Sequence, residues 1–116
     1  MLNGRQGENI AKRFLIKKGY RIIEVNYRCR IGEIDIIASN DDKICFVEVK
    51  TRNSLIYGRP FESVNYFKKN RIRKIAQHFL ILNKQYQDLS PRFDVISIYL
   101  PQEIKKPQIR FIQNAF

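Results

Sequence analysis

The sequence has few of the residues on which several common kinds of protein chemistry depend. Two cysteines, Cys29 and Cys45, are too few for a disulfide-stabilised scaffold or a four-ligand zinc site. The one histidine, His78, excludes most histidine-based metal sites and catalytic triads. Apolar runs are too short to span a bilayer, and the N-terminus lacks the apolar core of a signal peptide. We therefore expect a cytoplasmic protein with no membrane partner.

Acidic residues are also scarce, since 11 Asp and Glu accompany 22 Lys and Arg, which gives a net charge of +11 over 116 residues. The excess is concentrated between Lys50 and Lys74, where eight basic residues accompany one acidic residue, Glu62. Such a segment attracts a polyanion, and nucleic acid is the expected partner. The expected nucleic-acid-binding residues are Arg52, Lys68, Lys69, Arg71, Arg73 and Lys74. The alternative is a solvated helix face in a basic protein.

Hydrophobic periodicity predicts a single α/β domain over residues 1–116, with a mixed sheet flanked by helices in the order α-β-β-β-α-β-β. The predicted elements are a helix at 5–18, strands at 20–27, 33–38 and 43–51, a helix from the N-cap Asn65 to about Asn83, and strands at 92–100 and 109–113. Gly19 suits the end of the first helix, and residues 84–91 are expected to form a loop.

The second and third predicted strands form a hairpin that would gather charged side chains. If its turn is centred at residues 41–42, opposed residues have numbers that sum to 83. Asp35 then faces Glu48, and Glu33 faces Lys50, all on one side of the sheet.

Two opposed carboxylates repel each other unless a cation offsets them, and carboxylate oxygens suit Mg²⁺ or Mn²⁺. Lys50 would orient or help to deprotonate a water, or stabilise charge on a phosphate in transfer. A metal held by carboxylates beside a lysine is what phosphodiester hydrolysis requires. The alternative is an ion-pair ladder of Asp35, Glu48 and Lys50, which contributes about 0–1 kcal/mol per exposed pair. The strand at 44–50 is apolar on both faces, which favours burial and therefore the metal site.

Two segments of this hairpin, residues 32–37 (Gly-Glu-Ile-Asp-Ile-Ile) and 46–52 (Phe-Val-Glu-Val-Lys-Thr-Arg), resemble the PD-(D/E)xK nuclease superfamily. More narrowly, the chain is similar to the YraN family of bacterial predicted endonucleases, distant relatives of archaeal Holliday-junction resolvases. The further matching segments are residues 4–8, 26–28, 57–60, 92–95 and 114–116. The resemblance implies a restriction-endonuclease-like fold and a metal-dependent endodeoxyribonuclease, with branched or structured DNA as substrate.

The resemblance also implies roles for individual residues. Asp35 and Glu48 would be ligands of Mg²⁺ or Mn²⁺, together with the backbone carbonyl of Val49. Lys50 would be the catalytic lysine. Glu8 would be an accessory acid that binds the metal directly or through water. A resolvase-like role would suggest a homodimer.

Several alternatives stay open. The protein could be a non-catalytic nucleic-acid-binding module with a degenerate nuclease site, or a scaffold for an acidic protein partner. Glu33 either joins the site or pairs with Lys50. Asp94, in an apolar strand, is expected to be structural and hydrogen-bonded. Tyr20, Tyr27 and Tyr57 could stack on nucleic-acid bases, but packing within the protein is favoured for all three.

Overall fold

The computed structural model describes residues 2–52, 66–101 and 106–116. The elements are α1 (Gly4–Lys17), β1 (Arg21–Arg28), β2 (Glu33–Asn40), β3 (Lys43–Arg52), α2 (Tyr66–Leu82), β4 (Ser90–Tyr99) and β5 (Gln108–Ile112). The predicted order α-β-β-β-α-β-β is therefore confirmed. The predicted N-cap Asn65 lies outside the described residues. Within those residues, no helix is both long and apolar enough to cross a membrane.

The five strands form one mixed sheet in the order β1-β2-β3-β4-β5. All neighbouring strands are antiparallel except β3 and β4, which are parallel. One apolar core lies between the sheet and α2, around Phe46 and Phe79. A second core lies between the opposite face and α1, around Leu15 and Val47. Because β3 contributes to both cores, it is apolar on both faces, as the sequence predicts.

Helix α1 has sequence signals at both ends. Asn3 and Gln6 form a capping box, in which each side chain accepts a hydrogen bond from the other residue's backbone N–H. Gly19 follows the helix with a φ of +93°, and the N–H of Tyr20 donates to the carbonyl of Leu15 at 2.9 Å. A residue without a Cβ adopts this left-handed conformation at little cost, so Gly19 ends the helix as predicted.

The predicted loop at 84–91 is wrong at both ends. Residues Lys84–Tyr86 form one turn of 3₁₀ helix, and β4 begins at Ser90, so that Pro91 lies inside a strand. Proline is accepted there because β5 pairs with β4 only from Val95 onwards, which leaves no ladder bond for Pro91 to break on that side. Helical spacing predicts that Leu82 lies on the buried side of α2 with Ile75 and Phe79, but its side chain is 64% exposed at the end of the helix.

Asp94 is fully buried, and the prediction that it is structural and hydrogen-bonded is confirmed. Its carboxylate accepts from Nε of Arg92 at 2.9 Å and from the backbone N–H of Asn114 at 2.8 Å. The guanidinium of Arg92 also donates to the hydroxyl of Tyr20 at 2.8 Å. This network connects β4 to the start of β1 and to the C-terminal residues.

Candidate active site

The β2–β3 hairpin has the predicted register. The two strands pair from Asn40 and Lys43 to Ile36 and Val47, and the numbers of each pair sum to 83. The pairing ends there, so the expected direct opposition of Asp35 and Glu48 is not part of the ladder, and Asp35 lies just beyond the last β2–β3 pair.

At Asp35 the regular ladder is replaced by a side-chain contact. The backbone N–H of Val49 donates to Oδ2 of Asp35 at 2.8 Å. Ile34 packs in the core under α2, whereas Ile36 packs in the core under α1, although residues two apart in a regular strand share a face. The residue opposite Asp35 in the β1–β2 register is Asn26, whose φ is +55°, a left-handed value that asparagine tolerates better than most residues. The strand is therefore irregular at the aspartate.

Glu48 lies on the α2 side of β3 and contacts two lysines. Its Oε1 atom is 3.5 Å from Nζ of Lys50 and 2.5 Å from Nζ of Lys68, which donates a hydrogen bond to it. The side chain of Glu48 is only 9% exposed, against 22% for Lys50 and 36% for Lys68. A nearly buried carboxylate is costly without such partners, so the two ammonium groups compensate its charge. Lys68, predicted from sequence as a nucleic-acid contact, lies in contact with this glutamate.

The carboxyl group of Asp35 is shifted strongly towards its protonated form. Burial, followed by the negative charge of Glu48, raises the pKa of Asp35 to about 7. The hydrogen bond from Val49 and the charge of Lys68 oppose this rise, and the charge of Glu8 adds to it. A bound cation would reverse the balance, because it favours the ionised form of every carboxylate beside it.

The two lysines differ in their protonation behaviour. Burial lowers the pKa of Lys50, and its hydrogen bond with Lys68 and that residue's positive charge lower it further, against the opposing effect of Glu48. For Lys68, burial acts in the same direction, but the hydrogen bonds with Glu48 and Lys50 outweigh it and raise the pKa. Lys50 is thus the lysine of the two that more readily gives up a proton.

Glu8 reaches this region because α1 approaches β3 closely at the preceding residue. Gly7 is buried, and a Cβ added there would lie 1.9 Å from Oγ1 of Thr51. Only a residue without a side chain allows this approach while Thr51 keeps its position. Glu8, which is half-buried, contributes a repulsive charge to Asp35 from the opposite helix.

Glu33 does not face Lys50, because the β2–β3 pairing ends before it. Instead, Glu33 pairs with Arg28 of β1, and its Oε2 lies 3.1 Å from Nε of that arginine. The expected opposition of Glu33 and Lys50 is therefore wrong. Glu33 still lines the same cavity as Asp35.

This cavity has a volume of about 280 Å³. Its lining residues are Gly32, Glu33, Asp35, Glu48, Lys68, Arg71 and Ile72. A cavity with carboxylates at one wall and cations from α2 at the other has the polarity needed to hold a metal ion and a phosphate side by side.

The basic residues predicted to bind nucleic acid do not all lie on this side of α2. Arg71 lines the cavity, and Arg71 and Lys74 line a neighbouring hollow. Lys69 and Arg73 instead lie over the ring of Phe116, at 6.0 Å and 5.8 Å from its centroid. Arg52 is half-buried at the end of β3, so the basic cluster of the sequence is divided between separate surfaces.

The expectation that Tyr20 and Tyr27 pack within the fold, and do not stack on bases, is confirmed. Tyr20 is only 6% exposed, Tyr27 packs edge-on against Phe79, and Tyr57 lies outside the described residues. Among the described residues, the aromatic rings that are most exposed are those of Tyr66 and Phe67, at 70% and 77%. Helical spacing predicts this exposure, because at ~100° per residue both side chains lie more than about 100° around the helix from the buried Ile72.

The residues fit a partly hydrated Mg²⁺ or Mn²⁺ site better than a complete protein site. In residues 2–52, 66–101 and 106–116, no cluster of three or more His, Cys, Asp and Glu side chains could hold a metal by itself. Mg²⁺ commonly uses only one or two carboxylates, with water and substrate phosphate as the other ligands. Burial and the charge of Glu48 raise the pKa of Asp35, and a divalent ion beside the carboxylate would oppose both effects.

Comparison with known proteins gives a consistent family assignment. A family model described as "Uncharacterised protein family UPF0102" matches residues 7–98. A UPF0102 protein of Caldicellulosiruptor bescii is 49% identical over 113 residues, which cover 97% of this chain and 95% of the relative. A UPF0102 protein of Caldanaerobacter subterraneus is 48% identical over 116 residues, with 97% and 93% covered. One from Alkaliphilus oremlandii is 49% identical over 114 residues, with 97% and 96% covered.

Proposed function

The chain belongs to the uncharacterised protein family UPF0102, and we propose that it is a metal-dependent endonuclease that hydrolyses DNA phosphodiesters. The observation that supports this most is the convergence of Asp35, Glu48 and Lys68 at one cavity of a basic protein, with Nζ of Lys50 3.5 Å from Oε1 of Glu48. The resemblance of residues 32–37 and 46–52 to PD-(D/E)xK nucleases points to the same chemistry.

Asp35 and Glu48 would hold Mg²⁺ or Mn²⁺, with the backbone carbonyl of Val49 as a further ligand and Glu8 acting directly or through water. The ion, when bound, would supply an activated water and shield the phosphate from the acidic residues. Asp35 is held for this role by the N–H of Val49, and Glu48 by its two lysines.

Lys50 would act on the reacting groups themselves. Its pKa is lowered chiefly by burial, so its ammonium group is a better proton donor than an exposed lysine. It would orient the attacking water and stabilise the negative charge that develops on the phosphate. Lys68, released from Glu48 when a metal neutralises that carboxylate, would be available for a non-bridging phosphate oxygen.

Affinity for the substrate would come from the basic surface around the cavity. Arg71 and Lys74 lie beside the cavity, where they would neutralise backbone phosphates and make binding weaken steeply with salt. A resolvase-like substrate with two-fold symmetry would be cut by a homodimer.

The second candidate is a nucleic-acid-binding module without turnover. The hydrogen bond of Lys68 to Glu48 favours it, because two lysines already compensate that carboxylate without a metal. In this case, neutralising Asp35 would leave nucleic-acid binding unchanged or strengthen it, and no metal-dependent cleavage would occur.

Cleavage of linear, flapped and branched DNA with added Mg²⁺ or Mn²⁺ distinguishes the two candidates. We expect Asp35→Asn and Lys50→Ala to lose at least about a hundredfold in rate, the effect typical of removing a group that acts in the transition state. Asp42→Asn and Lys43→Ala change the same residue types at the other end of the hairpin and should leave the rate unchanged. Equal activity of all five proteins, wild type included, would indicate a contaminating nuclease and reject the proposal.

A further inference from the structure

The N-terminal turn of α2 presents a second surface beside the cavity. Tyr66 and Phe67 pack edge to face, with ring centroids 5.8 Å apart and an angle of 77° between the rings. With Ile31, Arg71 and Lys74, they line a hollow of about 400 Å³. These five residues are called the aromatic patch below.

Within residues 2–52, 66–101 and 106–116, the fold leaves the apolar side chains of the aromatic patch exposed. Tyr66 and Phe67 are 70% and 77% exposed, and Ile31 is 42% exposed. None of the three belongs to either apolar core. Large apolar side chains grouped together at the surface commonly mark a binding site.

The charge of the aromatic patch selects the kind of partner. Arg71 and Lys74 are exposed and flank the two rings on the same helix. Aromatic faces next to cations match a nucleotide, in which a flat base is joined to an anionic phosphate. The net charge of +11 for the whole chain acts in the same direction.

The aromatic patch and the cavity are neighbours. Arg71 lines both. Ile31, which lines the hollow of the aromatic patch, is followed in the chain by Gly32, which lines the cavity. A Cβ at Gly32 would lie 3.2 Å from Cδ of Arg71, so the stem of this arginine packs closely over the glycine. A strand with a phosphate in the cavity would therefore have a nearby base at the aromatic patch.

We propose that the aromatic patch stacks an unpaired base next to the cleavage site, so that the protein prefers nucleic acid with single-stranded or branched segments to continuous duplex. A base inside a duplex has both faces covered by its neighbours, whereas an unpaired base offers a face to Tyr66 or Phe67. This inference rests on the proposed nuclease function, since it names the substrate form that reaches that cavity.

The test measures binding in a chelator, so that neither metal nor cleavage affects the result. The probes are a blunt DNA duplex and the same duplex with a single-stranded thymine tail, both followed by fluorescence anisotropy with the full chain. We expect Phe67→Ala and Tyr66→Ala to weaken binding of the tailed probe about tenfold each, the loss of one stacked base, and to leave the blunt probe unchanged. Phe67→Trp should retain the preference, because it keeps an aromatic face.

The matched control is Ile81→Ala, which removes an apolar side chain 66% exposed at the other end of α2. It should bind both probes as the wild type does. A 2-aminopurine base placed in the tail should also change its fluorescence on binding to the wild type and not to Phe67→Ala.

Three results would overturn the inference: equal losses on both probes, no loss on either, or a change of oligomeric state without a selective loss of tail binding. The last would assign the aromatic patch to contact between protein chains. Selective binding by a protein that never cleaves would reject the nuclease function alone, and cleavage without selectivity would reject this inference alone.

Discussion

Asp35→Asn should remove the contribution of this carboxyl group to the pH dependence of stability. Burial, followed by the charge of Glu48, raises the pKa of Asp35 from its ordinary 3.8 to about 7, so the folded state retains a proton that the unfolded chain releases. Wild-type stability therefore falls as pH rises from about 4 to about 7. Asparagine has no proton to release, and its carbonyl can still accept the N–H of Val49.

The size of this effect follows from the pKa. Between pH 5 and the folded pKa of about 7 there are two pH units, each worth about 1.4 kcal/mol, so the variant should gain at most about 3 kcal/mol over the wild type between pH 5 and pH 8. Urea unfolding of both proteins at the two pH values, with a chelator present, measures the gain. Asp42→Asn, whose parent side chain is 77% exposed, should show no such change with pH. A difference between Asp35→Asn and wild type that stays constant from pH 5 to pH 8 would refute the reasoning.

Three further predictions concern the rest of the fold. Gly7→Ala should lower the free energy of unfolding by about 1–3 kcal/mol through overpacking against Thr51, and adding Thr51→Ala to that variant should recover most of the loss. Equal stability of Gly7→Ala and wild type in urea would contradict this. Cys45 is fully buried, and burial raises the pKa of its thiol to about 12. A thiol reagent at pH 8 should therefore modify Cys29 in the native protein and Cys45 only after unfolding, which mass spectrometry measures as one or two added groups. Asp94→Ala should cost about 3–5 kcal/mol because it leaves a half-buried arginine without its partner, and a loss below 1 kcal/mol in thermal melts would be inconsistent with the network.

The sequence was most informative where one periodicity determined the structure. The turn at 41–42 and the alternation of β3 specified the register, which placed Glu48 and Lys50 on the same side of the sheet. A shift of one residue would have moved the whole apolar set to the opposite face, and this is why the register is so strongly determined. The mixed sheet and its two helices followed from the same patterns.

Irregular backbone and long side chains were the features that the patterns could not predict. Regular alternation places Ile34 with Ile36, but the strand changes face at Asp35, and the carboxylate bonds to the backbone of Val49. Similarly, Lys68 was expected on a basic helix surface, whereas its flexible stem brings its ammonium group to Glu48. Such contacts depend on distances between elements that no local pattern specifies.

For Glu33, the sequence predicted the strand correctly but not the partner of the side chain. Its position in β2 was correct, yet its partner is Arg28 on β1, because pairing with β3 ends at Ile36. The aromatic patch was overlooked for a related reason, since Tyr66 and Phe67 lie before the regular apolar pattern of α2 and outside its buried side.

The most direct test of the central claim is the anomalous diffraction of manganese in crystals grown with Mn²⁺ at about pH 8. We expect a peak between the carboxylates of Asp35 and Glu48, with Nζ of Lys68 displaced from Oε1 of Glu48, and no such peak in crystals of Asp35→Asn. Crystals of the wild type without a peak, in which Lys68 still donates to Glu48, would contradict it.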